Sequence, residues 1–345
     1  MHRTTFLGKL GHGTHITSTI IGYSYYGEHI RGVAPKVKII PVKVLNTYES
    51  LDGKVYGTDL MVAAGINYIA DLAESEDIKI VISLSLGDTE PSQSIKDAIN
   101  HAIKNGVIVV AAAGNNGKPM GWPADPDTWF LYWPGAYPEV ICVGSSGWGM
   151  GVDEDGYPKY PGTGEWKPWP QIPQAWWHQD VAENITDEIS YISFFSSREY
   201  VNPAFPYEDV KLDVVAPGSW ILGPYPYPGN SGYRHIPWWA QGSPWNPNAP
   251  PPNYWYCGGT SMATPHVSGV VALMLEKDPT LTQKDVEDIL KNTSTPLPTA
   301  MLESPFAFNY VRWPCGGIYP FCWAADATGA GIIQADEAIA TIPTP

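Results

Sequence analysis

Basic residues are scarce in this chain: 20 Lys and Arg stand against 35 Asp and Glu, a net charge of −15. That balance excludes a polyanion as the natural partner, so no nucleic acid is expected. It reads instead as a well-hydrated acidic surface. Long apolar runs are missing too. None approaches the ~20 residues that a membrane-spanning helix needs, so no membrane partner is expected. The first residues, MHRTTFLGKL, lack the apolar core and small-residue cleavage site of a signal peptide. Cysteine is sparse. Cys142, Cys257, Cys315 and Cys322 do not form the paired spacing of a zinc site. Cys142, in VICVG, reads as a buried thiol. Cys315 and Cys322 flank a short Gly/Pro loop and are a candidate bridge in an oxidising compartment. Finally, charge as a whole is low. With 16% charged and 44% hydrophobic residues, the composition excludes a disordered chain.

What is present divides into two kinds of sequence. Stretches at about 117–134, 146–180, 219–256 and 296–323 are rich in Trp, Pro, Tyr and Gly. Their proline density excludes long helices, and their aromatics argue against polar linkers. They read as ordered insertions on one large domain spanning 1–345. Between them, strand and helix patterns alternate. KVKIIPVKVL (36–45), IKIVISLSLG (78–87), VIVVAAAG (107–114), EVICVGS (139–145) and KLDVVAPG (211–218) read as strands. Residues 59–73 read as a helix, and 94–105 carries apolar residues at i, i+3, i+4, i+7 and i+8 before Gly106 as its C′ residue. Thr282 with Asp285 resembles a capping box. The alternation predicts an α/β fold, three layers α/β/α around a mostly parallel sheet.

Four short stretches can carry chemistry. In GGTSMATPHVSGVVALM (258–274), Ser261 falls at a helix start, with Pro265 expected in the first turn. Free N–H groups and the helix dipole there favour negative charge. A serine nucleophile creates such a charge on its substrate, although serine is also an ordinary N-cap. GHGTHITST (11–19) surrounds His12 with small residues at another helix start. A lone histidine is commonly plain core or surface, so this motif gains weight only in company. AAAGNNG (111–117) delivers Asn115 from the carboxyl edge of the sheet, where open α/β folds bind ligands. An amide there can donate to an oxyanion or simply shape a turn. SLSLG (83–87) also ends a strand.

Taken together, HGTH, SLSLG, AAAGN and GTSMATPHVSG resemble, in order, the motifs of subtilisin-like serine proteases. RGVAPKVKIIPVKVL, WPGAYPEVICVGS, SFFSS, LDVVAPG and GAGIIQADEAI look similar as well. The resemblance implies a serine endopeptidase acting on protein or peptide substrates. Ser261 would attack the carbonyl and His12 would act as general base. Asn115 and the Ser261 N–H would hold the oxyanion, and Ser85, Leu86 and Gly87 would pair with substrate backbone. His15 and His266 are expected to pack. No cofactor is needed for that chemistry, and the protein is expected to be an extracellular or cell-surface monomer.

The resemblance also implies an acid on a strand ahead of the His motif, and none of the residues before His12 is acidic. Asp52 and Asp59 come later and are not assigned that role. The expectation is an N-terminally truncated enzyme, impaired as given. The alternative is a relative that binds peptides without cutting them. Three departures accompany this one. Thr17 and Ser18 stand where smaller residues are usual. The region 20–32, where the family's calcium loop is expected, holds only Glu28 as a carboxylate. Structural calcium is therefore unassigned, and no metal ligand is named; Asp153, Glu154 and Asp155 read as a solvated loop. Asp88, Tyr132 and Trp133 are expected near the substrate pockets.

Overall fold

The computed structural model describes residues 3–6, 11–25, 28–45, 55–117, 130–148, 190–193, 195–199, 210–219, 221–224, 254–297, 309–312, 318–321, 323 and 325–343. The chain runs β1 (Arg3–Phe6), α1 (His12–Ile21), β2 (Gly22–Tyr25), β3 (Glu28–Arg31), β4 (Val55–Thr58), α2 (Asp59–Glu76), β5 (Val81–Leu84) and α3 (Gln93–Lys104). It continues with β6 (Ile108–Ala112), β7 (Ile141–Trp148), β8 (Ser190–Ile192), β9 (Val214–Pro217), β10 (Ile221–Pro224) and β11 (Tyr254–Cys257). α4 (Thr260–Lys277), α5 (Gln283–Thr293), β12 (Asn309–Arg312), β13 (Ile318–Phe321) and α6 (Ala335–Thr341) complete it.

Local signals set the helix ends. Thr58 caps α2 by accepting from the Met61 N–H. Thr282 and Asp285 form the expected capping box on α5. After α3 the backbone turns at Gly106 with φ +76, a conformation suited to glycine.

The central sheet has the order β5-β6-β7, with β9 parallel to β7 and β8 antiparallel to it further along. Its strands alternate between two cores. Val109, Ala111, Cys142 and Val215 face the α2–α3 layer. Ile108, Val110, Ile141, Val143, Val214 and Ala216 face α4, α5 and α6. Both faces are covered, so these strands read as unbroken apolar runs. Gln283 locks α5 to this sheet: its amide accepts from the Val109 N–H and donates to the Val109 and Glu139 carbonyls.

One expected strand is not formed. Residues 37–44 join no ladder among the described residues. Val42 and Val44 reach α2 at Gly65, while Val37 and Ile40 stay 37% and 39% exposed. Branched residues favour an extended chain, but a strand also needs a neighbour to bond with. Among the described residues β5 pairs on one side only, with β6. Cys315, Cys322, Asp52, the acidic trio at 153–155 and most of the aromatic insertions lie outside the described residues.

Candidate active site

The site is built at the carboxyl ends of β5 and β6 and the start of α4. β6 leads to Gly114 at φ +103. A side chain there would come within 2.8 Å of the Ser197 hydroxyl and the Tyr132 ring, so glycine is needed to turn the chain toward Asn115. The Asn115 carbonyl oxygen accepts from the Thr260 N–H at 2.8 Å and from the Thr260 hydroxyl at 3.0 Å. Those two donors identify the oxygen of the amide and leave Nδ2 directed elsewhere. Thr260 also accepts from the Gly114 N–H. Thr260 is thus the anchor of the amide, a role the sequence reading missed. The signal was its place beside Ser261 in GTSMA.

Ser261 is the second residue of α4, and Pro265 therefore lies in the second turn rather than the first. This has a local consequence. Proline has no N–H, so the Ser261 carbonyl loses its helical donor four residues on. The Ser85 hydroxyl takes that place, donating to the Ser261 carbonyl at 2.8 Å. The Ser261 hydroxyl in turn donates to the Ser85 carbonyl at 3.4 Å. The end of β5 and the start of α4 are therefore stitched together. Leu86 and Gly87 follow. Asp88 and Trp133 exchange backbone bonds of 2.7 and 2.8 Å, and a side chain at Gly87 would press on Tyr132 at 3.0 Å. Leu86, Asp88, Trp133, Tyr137 and Ile95 line a small cleft beside this segment. Burial raises the Asp88 carboxyl above its ordinary value, with bonds from Thr89 opposing.

His12 is the first residue of α1, which packs on α4. Thr19 accepts from the Val33 N–H, and Val33 abuts Gly269 of α4. Counting back at about 1.5 Å per residue brings His12 and Ser261 to the same end of the two helices. His15 supports this: it bonds Ile221, whose strand partner Cys257 directly precedes α4. No hydrogen bond joins His12 to Ser261 or to a carboxylate among the described residues. Desolvation pushes its imidazole down to about 4, and the nearby His15 adds to the effect. His12 is therefore neutral at pH 7, the form a base requires. His15 is fully buried and bonds the Ile221 carbonyl through Nε2. His266 bonds the Met262 carbonyl through Nδ1, and its pKa is lowered by burial. The first bond ties α1 to β10, and the second lies within α4.

Among the described residues no cluster of His, Cys, Asp and Glu is arranged to hold a metal. The segment after α1 offers Glu28 alone, exposed on β3. That does not fit calcium, which takes six to eight oxygen ligands.

A serine at a helix start, an anchored amide beside it and an imidazole at the same end of a packed helix are thus carried on a mostly parallel sheet of subtilisin-like fold. The chain belongs to the Subtilase family, peptidase S8, whose profile matches residues 1–309. It is similar to fervidolysin of Fervidobacterium pennivorans, 29% identical over 95% of this chain and 34% of that protein. Thermitase of Thermoactinomyces vulgaris is 30% identical over 76% of this chain and 61% of that protein. The major intracellular serine protease of Bacillus subtilis is 31% identical over 76% and 54%. The chain thus spans between about a third and three fifths of these relatives' lengths. In structure it is similar to fervidolysin, described as a keratinolytic enzyme related to subtilisin, with a TM-score of 0.56 at 26% identity over 97% of this chain and 37% of that one. An S41 psychrophilic protease gives a TM-score of 0.57 at 22% identity over 94% and 77%, a likeness of fold.

Proposed function

We propose that the chain is the catalytic domain of a serine endopeptidase. Ser261 attacks the scissile carbonyl, and His12 takes its proton and passes it to the leaving amine. Asn115 Nδ2 and the Ser261 N–H receive the oxyanion. Ser85, Leu86 and Gly87 pair with the extended substrate, which is protein or peptide. The observation that carries this reading is the Asn115 amide, turned by its two bonds from Thr260 so that its donor end is free beside Ser261. Chemistry of this kind needs no cofactor. The reading takes 1–345 as one domain acting as a monomer outside the cell. One matched relative carries the word intracellular in its name, so location is tested separately, by fractionating an expressing culture.

The acid behind His12 is the unfilled role. We infer that a carboxylate-bearing strand seats along the free edge of β5, next to residues 37–44. Both sheet faces at β5 are covered, yet the edge has no partner among the described residues, and four apolar side chains at 37–42 are exposed. Each buried backbone group left unbonded costs about 1–3 kcal/mol, so such an edge favours a partner. The test compares the chain as given with a form extended upstream by the family's first strands. Release of product from a peptide amide should rise about 10⁴-fold with the acid in place. Equal rates in the two forms would refute the idea. The second reading, a peptide binder that does not cut, is favoured by His12 having no bond to Ser261 among the described residues. Tight peptide binding by the extended form without turnover would select it.

A further inference from the structure

Ser193 and residues 195–197, part of SFFSS, have no role in the function proposed above, yet Ser193, Ser196 and Ser197 are 0%, 1% and 0% exposed. Buried hydroxyls are costly unless bonded, and here each bond leads toward the site. On one side the turn grips the Asn115 loop. The Ser197 N–H donates to the Gly114 carbonyl at 3.0 Å, and the Gly117 N–H donates to Phe195 at 2.8 Å. The Asn116 N–H donates to the Ser197 hydroxyl at 3.1 Å. On the other side it grips the approach to α4. The Ser193 hydroxyl lies 2.7 Å from that of Ser145 and 2.6 Å from that of Ser219. Ser196 accepts from the Ser145 N–H. Beside Ser219, the Gly218 carbonyl receives the Gly259 N–H at 2.8 Å. Gly259 is the N-cap of α4, two residues before Ser261. The contact at Gly218 is close: a side chain there would fall 2.2 Å from the Ser145 hydroxyl and 2.7 Å from the Gly259 carbonyl.

We propose that Ser193 and Ser197 are positioning residues that hold the Asn115 amide and the Ser261 N–H at the separation an oxyanion requires. This rests on the oxyanion roles proposed above. Those two donors come from different elements, the end of β6 and the start of α4. Such constellations work only when held to about 0.5 Å, and the serine turn is bonded to both loops.

The experiment is the rate at which a fluorophosphonate phosphonylates Ser261 in the 345-residue chain, with the adduct located by mass spectrometry. Ser261 Oγ displaces fluoride, and the phosphoryl oxygen occupies the oxyanion position. Ser197→Ala and Ser193→Ala are each measured alone and in an Asn115→Ala background. Ser197→Ala should slow labelling roughly 10-fold alone and less than about twofold once Asn115 is gone, because its effect passes through the amide, whereas Ser193→Ala, which acts on the Gly218–Gly259 side, should slow it roughly 10-fold in either background. The same slowing by Ser197→Ala in both backgrounds, or none from either variant, overturns the inference. If Ser193→Ala does not fold, Ser197→Ala decides the matter, with Ser193→Cys expected to restore part of the rate. Absence of Ser261 labelling in both the unmodified chain and the upstream-extended form would instead overturn the site assignment itself, and this inference with it.

Discussion

The two ends of the candidate site are built very differently. At the α4 end, Thr260, Asn115, Ser85 and the Ser261 carbonyl and hydroxyl share bonds of 2.8–3.4 Å, and the serine turn lies behind them. At the α1 end, His12 has no hydrogen bond to Ser261 or to a carboxylate among the described residues, and desolvation alone is the larger cause of its low pKa. Two buried groups nearby, His15 and Ser18, and the half-buried Tyr23 are spent on bonding α1 and β2 to themselves and to β10. On the roles proposed above, the contrast puts the oxyanion-binding half on the sheet and one helix and leaves the orientation of the imidazole to a further element.

Breaking the finished half should have the largest effect. Ser261→Ala is expected to abolish fluorophosphonate labelling entirely, read by intact-mass spectrometry. Supplying the unfinished half comes next. The upstream-extended form should gain about 10⁴ in peptide-amide turnover, and His12→Gln should cancel that gain. Asn115→Ala in the extended form should lower kcat by about 10²–10³ with KM little changed, because the amide acts on charge that develops in the transition state. Equal losses in kcat for variants at both ends of the chain as given would erase the contrast drawn here.

Smaller effects sharpen it through stability. His12 has a folded pKa of about 4, below the ordinary 6.5. The unfolded chain therefore binds a proton before the folded one does. Its contribution to stability is present above 6.5 and is lost as pH falls toward 4. The slope is up to about 1.4 kcal/mol per pH unit. Asp213 acts in the opposite direction. Burial raises it to about 6 despite its bonds from the Cys142 N–H and Lys291, so it favours the folded state as pH falls through that value. The two effects overlap, so the informative quantity is a difference. Chemical denaturation of the unmodified chain and His12→Gln should show the variant losing less stability between pH 6.5 and 4. Parallel curves would mean that His12 is solvated. Away from the site, Gln283→Ala removes three bonds to β6 and Glu139 and should cost about 1–3 kcal/mol, with labelling at Ser261 unchanged.

Much of this was legible in the residues, for physical reasons that differ by region. β6, β7 and β9 read correctly because both faces are buried and the runs are unbroken: Ile108–Ala112 alternates between two cores without a polar residue. α3 and α5 carried their own periodicity and end signals. KVKIIPVKVL misled because its composition describes a strand, whereas a strand is a relation between two segments. Pro265 was placed one turn early. The helix begins at Thr260, and the proline works inside it by freeing a carbonyl for Ser85. The order of motifs identified Ser261, Asn115 and His12 as candidates. It carried no information on which way the Asn115 amide faces, because that depends on Thr260 arriving from 145 residues away. The serine turn was visible only as SFFSS, a string whose partners are Ser145 in β7 and Ser219 between β9 and β10.

The central claim is that a hydroxyl, an amide and an imidazole converge on one carbonyl-sized space. A crystal structure of the chain phosphonylated at Ser261 measures this directly. The account expects the phosphoryl oxygen roughly 2.7–3.1 Å from both Asn115 Nδ2 and the Ser261 N–H, with the His12 ring facing the adduct. A phosphoryl oxygen turned to solvent, with Asn115 or His12 directed away from it, would contradict the account.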